Sequence, residues 1–283
     1  MEEDLSSSLP LFASAELAAR VESAERRLIA DSVEAARLEA DDRVLTLELA
    51  GGLAAWARPG SPLNKVVGVG FGGEIPLSQL EAVEQAMASR DAPVQVELSS
   101  LAEPSIAPFL SRRGYVLQGF ENVLGLPLPT APAVPVPGVE VVVAAMDDPR
   151  WIEAVVTGFA HPDTQGVPSS ESFPREALEP IFRDMASAAG HCNLIALADG
   201  ELAGGGSMRI VDNVVILCGA ATLPVHRRRG VQSALLDVRL AMAAEAGCDL
   251  AVVTTQPGSK SQQNVQKKGF HLLYNRAILV REA

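Results

Sequence analysis

The clearest periodicity lies in the second half of the chain. GVEVVVAA (138–145) is a short apolar run that predicts a strand. WIEAVVTGF (151–159) and REALEPIFRDMASAAG (175–190) carry apolar residues at helical spacing, and Gly190 closes the second helix. Between them lies a polar loop, HPDTQGVPSSES (161–172), of the kind that covers a site. CNLIALADGELAGGGSMRIVDNVVILCGAATL (192–223) then reads as three strands, with hairpin turns at Asp199-Gly200 and Asp212-Asn213. From there the order changes. AATL ends a strand, PVHRRRG (224–230) is a loop, and VQSALLDVRLAMAAEA (231–246) is a helix with Leu235, Val238 and Met242 on one stripe and Gly247 as its stop. LAVVTT (250–255) is a buried strand, and a helix joining two strands in this way predicts a parallel crossover.

The first half repeats this order. Shifted by 155 residues, SQLEAVEQAMASR (78–90) falls on SALLDVRLAMAAE (233–245), VELSS (96–100) on AVVTT (251–255), and SRRGYVLQGFENVLGL (111–126) on QKKGFHLLYNRAILVR (266–281). Gly114 meets Gly269, Tyr115 meets Phe270, and Leu124 meets Leu279. The common order of helix, strand, polar segment, basic pair with Gly-aromatic, and strand predicts two copies of one domain. GLPLPTAPAVPVPG (125–138), with five prolines, predicts an extended connector that cannot continue a helix or enter a central strand. The expected domains are residues 1–128 and 129–283.

Composition narrows the function. The chain has 283 residues, 48% of them hydrophobic, enough for two medium cores. A net charge of -12 leaves no broad basic face, which argues against general nucleic-acid binding and suits a cationic or amine substrate. Cys192, Cys218 and Cys248 are odd in number, fit no metal spacing and sit in apolar stretches, so free thiols in a reducing compartment are expected. The N-terminus has no secretory pattern, and no run approaches the ~18 apolar residues of a membrane span. A cytoplasmic protein without nucleic-acid or membrane partners is expected, and a homodimer is left open.

Against this acidic background, Arg227, Arg228 and Arg229 stand directly before Gly230 and a helix. The unpaired N–H groups and the dipole of a helix start favour an anion, the arginines add positive charge, and Gly230 lets backbone approach closely. Ser233 can cap or donate. The loop is neither a Walker loop nor a Rossmann fingerprint. It reads as an anion cradle; the plainer reading is a solvated basic helix start.

Segment 220–281 resembles the GNAT superfamily of acyl-CoA-dependent N-acyltransferases. The resemblance rests on Arg227-x-x-Gly230-x-Gln232 at a strand-to-helix loop, on Pro224, and on Lys267-Lys268-Gly269-Phe270 after the next strand and helix. It implies an α/β fold of two tandem GNAT-like domains, each a mixed, mostly antiparallel sheet with a splayed parallel strand pair flanked by helices. It also implies acetyl transfer from acetyl-CoA to an amine of a small molecule. Arg227, Arg228, Arg229, Gly230, Val231, Gln232 and Ser233 would hold the pyrophosphate; Ala221, Thr222 and Leu223 would pair with the pantetheine arm; Asn264 and Lys267 would add contacts. A backbone N–H near Leu223 would donate to the thioester oxygen. Two positions depart from the family. Gln232 replaces the usual Gly or Ala, and Val265 stands where many members carry an acidic Tyr. Ser261 is a polar neighbour that could bind the cofactor or order a water. Tyr274 is the remaining phenol candidate, and His161 and Asp163 are candidate bases. In the first half HRRRGVQ is replaced by FGGEIPL (71–77), where Glu74 would repel phosphate and Pro76 removes an amide. Trp56 could serve a lid or an interface, or simply pack. Non-catalytic acyl-CoA sensing, and arginines that pair with an acidic partner surface, are the alternative readings.

Overall fold

Apolar runs from both halves assemble into one sheet. The computed structural model describes residues 11–39, 44–163, 165, 167 and 175–282. In the first half these form α1 (Ala15–Glu39), β1 (Leu45–Leu49), β2 (Gly52–Trp56), β3 (Lys65–Val67), α2 (Leu77–Ala88), β4 (Val94–Ser99), α3 (Ile106–Arg112) and β5 (Val116–Pro127). The second half supplies β6 (Val139–Val143), α4 (Pro149–Ala160), α5 (Arg175–Ser187), β7 (His191–Ala198), β8 (Glu201–Val211), β9 (Val214–Thr222), α6 (Val231–Glu245), β10 (Leu250–Thr255), α7 (Lys260–Lys267) and β11 (His271–Arg281). The α/β fold, both hairpins and the parallel crossover match the sequence reading.

The repeat is visible in its helix ends. α3 and α7 close with the same turn. Gly114 and Gly269 take φ of +88° and +92°, and the next N–H groups, of Tyr115 and Phe270, donate to the carbonyls of Leu110 and Val265 at 3.1 and 3.2 Å. Both following aromatics are buried. Val265 therefore repeats Leu110, a core position.

Strand order shows how the halves join. The eleven strands run β1-β2-β3-β4-β11-β5-β10-β9-β8-β7-β6. β5, the last strand of the first half, pairs with β10 and β11 of the second; β11 pairs with β4 of the first. The two copies exchange their final strands. The proline-rich connector is shorter than expected. The connector begins after Pro127, because Gly125, Leu126 and Pro127 lie in β5, opposite Val252, Ala251 and Leu250. Proline is tolerated because pairing with β11 ends at Gly125, so its missing N–H falls on an edge with no strand beside it.

Alternation divides the second half of the sheet. Leu194, Ala196 and Ala198 of β7 pack on α6, while Ile195 and Leu197 pack on α4 and α5. Trp56 is core, with the Arg90 guanidinium 5.5 Å from its ring centre. Helix α1 has no counterpart among the predicted elements, although Val21, Ala24 and Leu28 recur at helical spacing and are buried. It brings Glu22 and Glu25 over the exchanged strands. There Arg276 of β11, 1% exposed, donates to Glu22 at 2.7 Å and lies 3.8 to 4.0 Å from Glu25, Glu97 and Glu121. Lys65 of β3 pairs with Glu97 at 2.6 Å. Burial opposes the charge of Arg276, but Glu22 and Glu25 more than offset this and hold its pKa above the usual range.

Candidate functional site

Strands β9 and β10 hold together in parallel only from Val214 opposite Leu250 to Leu217 opposite Val253. Beyond that they part. A bulge starts the divergence: between Gly205 and Ser207 of β8 the register against β9 shifts, and Gly219 takes φ of +56°. Arg239 of α6, 2% exposed, reaches this bulge and donates to the carbonyls of Ser207 and Cys218 at 3.0 and 3.5 Å. It is a buried positioning residue that spacing arguments do not reveal. Cys218 lies 3.6 Å from His191 Nε2. Burial pushes the thiol up to about 11 and the imidazole down to about 4, so both stay neutral near pH 7 and form no thiolate–imidazolium nucleophile.

The end of β9 overturns one expectation. The N–H of Leu223 donates to Ala203 at 2.9 Å and is not available to a ligand. Alternation turns the N–H of Thr222 to the opposite edge, which faces the gap. A 3₁₀ turn, Pro224–His226, leads into the basic loop. Arg228 sits at φ +65° and Gly230 at +81°. A Cβ on Gly230 would lie 2.7 Å from Val136 of the connector, so glycine is required for both its angle and its space. Among the described residues, no acceptor takes the N–H groups of residues 228–233, and no side chain caps α6.

The three arginines have separate destinations. Arg229 pairs with Asp199, away from the gap. Arg227 donates to the carbonyl of His161, where the polar loop starts. Arg228 is exposed and has no hydrogen bond or ion pair among the described residues. The loop is tied at a second point, where Val167 N–H donates to Gly258 at 3.1 Å. Thr164, Gly166 and residues 168–174 of this loop lie outside the described residues.

Together these parts enclose a cleft of about 640 Å³. Ala221, Thr222, Arg227, Arg228, Gly230, Val231, Gln232, Ser233 and Asn264 line it, as does Ser261. Leu223, Arg229 and Lys267 do not. Gln232 faces the cleft, so the departure at that position narrows the loop. Asp163 is the one carboxylate among the described lining residues; its Oδ1 accepts from Gln165 N–H at 3.0 Å. The His161 ring is not in the lining, and its Nδ1 bonds to the Thr157 carbonyl at 2.9 Å.

Tyr274 does not reach the cleft, contrary to expectation. Its hydroxyl donates to Glu22 at 2.8 Å inside the ionic cluster, and burial raises its pKa above the usual phenol range. The other tyrosine, Tyr115, bonds to Glu84. With only two tyrosines in the chain, no phenol serves the cleft. Val265 is buried against the core with Phe270.

A parallel pair that splays beside a helix start with open amides has the build of an acyltransferase fold. The comparisons agree: residues 159–270 match the family model described as Acetyltransferase (GNAT) family, and that segment is a GNAT domain within a tandem GNAT fold. The chain is similar in structure to a GCN5-related N-acetyltransferase from Kribbella flavida, with TM-score 0.65, 19% identity and coverage of 94% of this chain and 96% of that one. It is similar to a tandem GNAT protein from the clavulanic acid biosynthesis pathway, with TM-score 0.58, 14% identity and coverage of 96% and 97%. A GCN5-related N-acetyltransferase from Sphaerobacter thermophilus gives TM-score 0.55 at 16% identity, over 84% of this chain and 75% of that one. No curated protein sequence matches the chain. Among the described residues no helix is long and apolar enough to cross a membrane.

Proposed function

We propose that the chain transfers an acyl group, acetyl in the simplest case, from its coenzyme A thioester to the amine of a small molecule. The observation that carries this reading is the run of N–H groups at 228–233 that no described residue accepts, at the mouth of the splayed pair and beside Arg228, which pairs with no described residue. A pyrophosphate fits such a set of donors. The thioester supplies an activated acyl carbon. Thr222 N–H, on the open edge, would donate to its carbonyl oxygen. Asp163 would take the proton that the amine loses, and Ser261 and Asn264 offer polar contact on the opposite wall. The first half does not take this role in our reading. Glu103 N–H donates to Gly70 at 2.9 Å, and a Cβ on Gly70 would lie 2.6 Å from Ala102, so a loop fills the corresponding gap. We divide the chain into a structural copy, 1–128, and a cofactor-binding copy, 129–283.

Binding without turnover is the second reading. It is favoured by the placement of both tyrosines outside the cleft, which leaves the departing thiolate without a phenol donor.

Calorimetric titration with acetyl-CoA, coenzyme A and 3′-dephospho-coenzyme A tests the cradle. Arg228→Ala should weaken binding about tenfold, the effect of one charge-assisted contact. Arg229→Ala should change it by less than about threefold, since its charge is screened and committed to Asp199. Absence of binding to the wild type overturns the reading. Amine-dependent thiol release separates transfer from sensing.

A further inference from the structure

The cleft has two chemically distinct ends. Arg228, Gln232, Ser233, Lys260 and Asn264 surround the cradle. The other end is walled by Phe159 of α4, by Leu178, Ile181, Phe182 and Met185 of α5, and by Pro62 from the first half. Leu178, Ile181 and Phe182 are at most 5% exposed yet reach the cleft surface, so they floor a recess whose rim is the exposed Phe159. It adjoins the reacting edge of β9: a Cβ on Gly158, next to Phe159, would lie 2.3 Å from Ala221 Cβ. Among the described residues, no charged side chain of α4, of α5 or of the segment around Pro62 lines the cleft. Arg58 and Asp184, which tie the Pro62 loop to α5 at 2.6 Å, spend their charges on each other and are not in the lining.

A polyhydroxylated or multiply charged group would lose hydration there without gaining partners. A hydrocarbon gains in proportion to the area it buries. We propose that this recess binds an apolar chain of about four carbons or more, attached next to the reacting centre. The chain is carried either by the acyl group or by the acceptor amine. The inference rests on the acyl-transfer reading for what the chain is attached to, but not for the recess itself.

The test has three arms, each with wild type, Met185→Gln and Phe159→Asn. Both substituted residues are partly exposed, and Gln keeps the shape of Met, so folding should survive. The first arm measures affinity for coenzyme A and its acetyl, butyryl and hexanoyl thioesters. If the acyl group carries the chain, each added pair of methylenes should tighten wild-type binding about tenfold, and the ratio of hexanoyl-CoA to coenzyme A affinity should collapse in both variants. The second arm fixes the thioester and compares propylamine with hexylamine as acceptors; a similar tightening there assigns the chain to the amine. The third uses no coenzyme and titrates hexanol and a neutral naphthalene fluorophore. Coenzyme A binding with no chain-length dependence in either series, and probe binding indifferent to both substitutions, overturns the recess and leaves the transferase reading standing. Failure of coenzyme A to bind, with probe binding that both substitutions abolish, has the opposite meaning.

Discussion

Three adjacent arginines in this chain do three things, and only contacts distant in sequence separate them. The reason is reach. An arginine side chain can turn to either side of a loop, and its direction is set by what the fold brings near: Asp199 for Arg229, the His161 carbonyl for Arg227, the cleft for Arg228. Backbone chemistry is more local, so the helix start and the left-handed glycine before it were legible from Gly230 and the helix that follows. Leu223 shows where that locality ends. Its N–H is committed to Ala203 across a hairpin, and a single step of alternation moves the open donor to Thr222. Asp163 was one of two candidate bases in the sequence, and the structure brings its carboxylate, not the His161 ring, to the cleft. Asp163→Asn keeps size and removes the proton acceptor. It should lower kcat about a hundredfold while acyl-CoA affinity stays within about twofold, and the deficit should narrow as pH approaches the pKa of the amine, where the acceptor arrives already deprotonated. Retention of most of kcat would place the base elsewhere.

At the scale of elements, sequence pattern located the second half from β6 to β10, because each run is apolar or amphipathic on its own; the polar α7 carries no such pattern and was implied only by the family resemblance, and β11 by the repeat. Pattern did not locate the polar core under α1. That core depends on a helix, a short strand and two exchanged strands meeting, and none of them carries an unusual pattern alone. Four carboxylates, Glu22, Glu25, Glu97 and Glu121, surround two cations, Arg276 and Lys65. The excess negative charge is relieved by protonation. Burial and then the neighbouring Glu97 push Glu121 from 4.5 up to about 8, against the pull of Lys65 and Arg276, and burial also raises Glu25. The sign follows from linkage. Between those two values the folded chain holds a proton that the unfolded chain has released, so stability falls as pH rises from 4.5 through about 8. Denaturant midpoints of the wild type should therefore drop between pH 5.5 and 8.5 on account of this group, and Glu121→Gln should flatten much of the slope. An unchanged slope in the variant would mean that Glu121 is ionised throughout.

On the scale of the whole molecule, the duplication was legible and the exchange was not. A shift of 155 residues shows which strands correspond, but both an exchanged and an unexchanged pairing satisfy it, because β5 and β11 fit either copy. The register decides. Glu121 stands directly opposite Arg276 in the β5–β11 pair, and the same two positions are equivalent under the 155-residue shift. A pseudo-two-fold axis therefore passes between them. Two identical chains would place the same residue against itself on that axis, Glu against Glu or Arg against Arg. A fused, diverged repeat can place opposite charges there, and Arg276 lies 3.8 Å from Glu121. The exchange also makes each copy incomplete. Without residues 129–283, β4 loses β11 and β5 loses both of its neighbours; without residues 1–128, β10 loses β5 and β11 loses β4 and β5. Exposed central strands with unpaired N–H and C=O groups do not make a stable sheet edge. Residues 1–128 and 129–283, expressed separately, should each fail to unfold cooperatively and should aggregate. Co-expressed, they should elute as one species and recover coenzyme A binding, as should the intact chain cut within the connector at 130–137. A fragment 129–283 that folds alone and binds coenzyme A would show instead that β11 can return to β10, and that the exchange is one of two pairings of nearly equal stability.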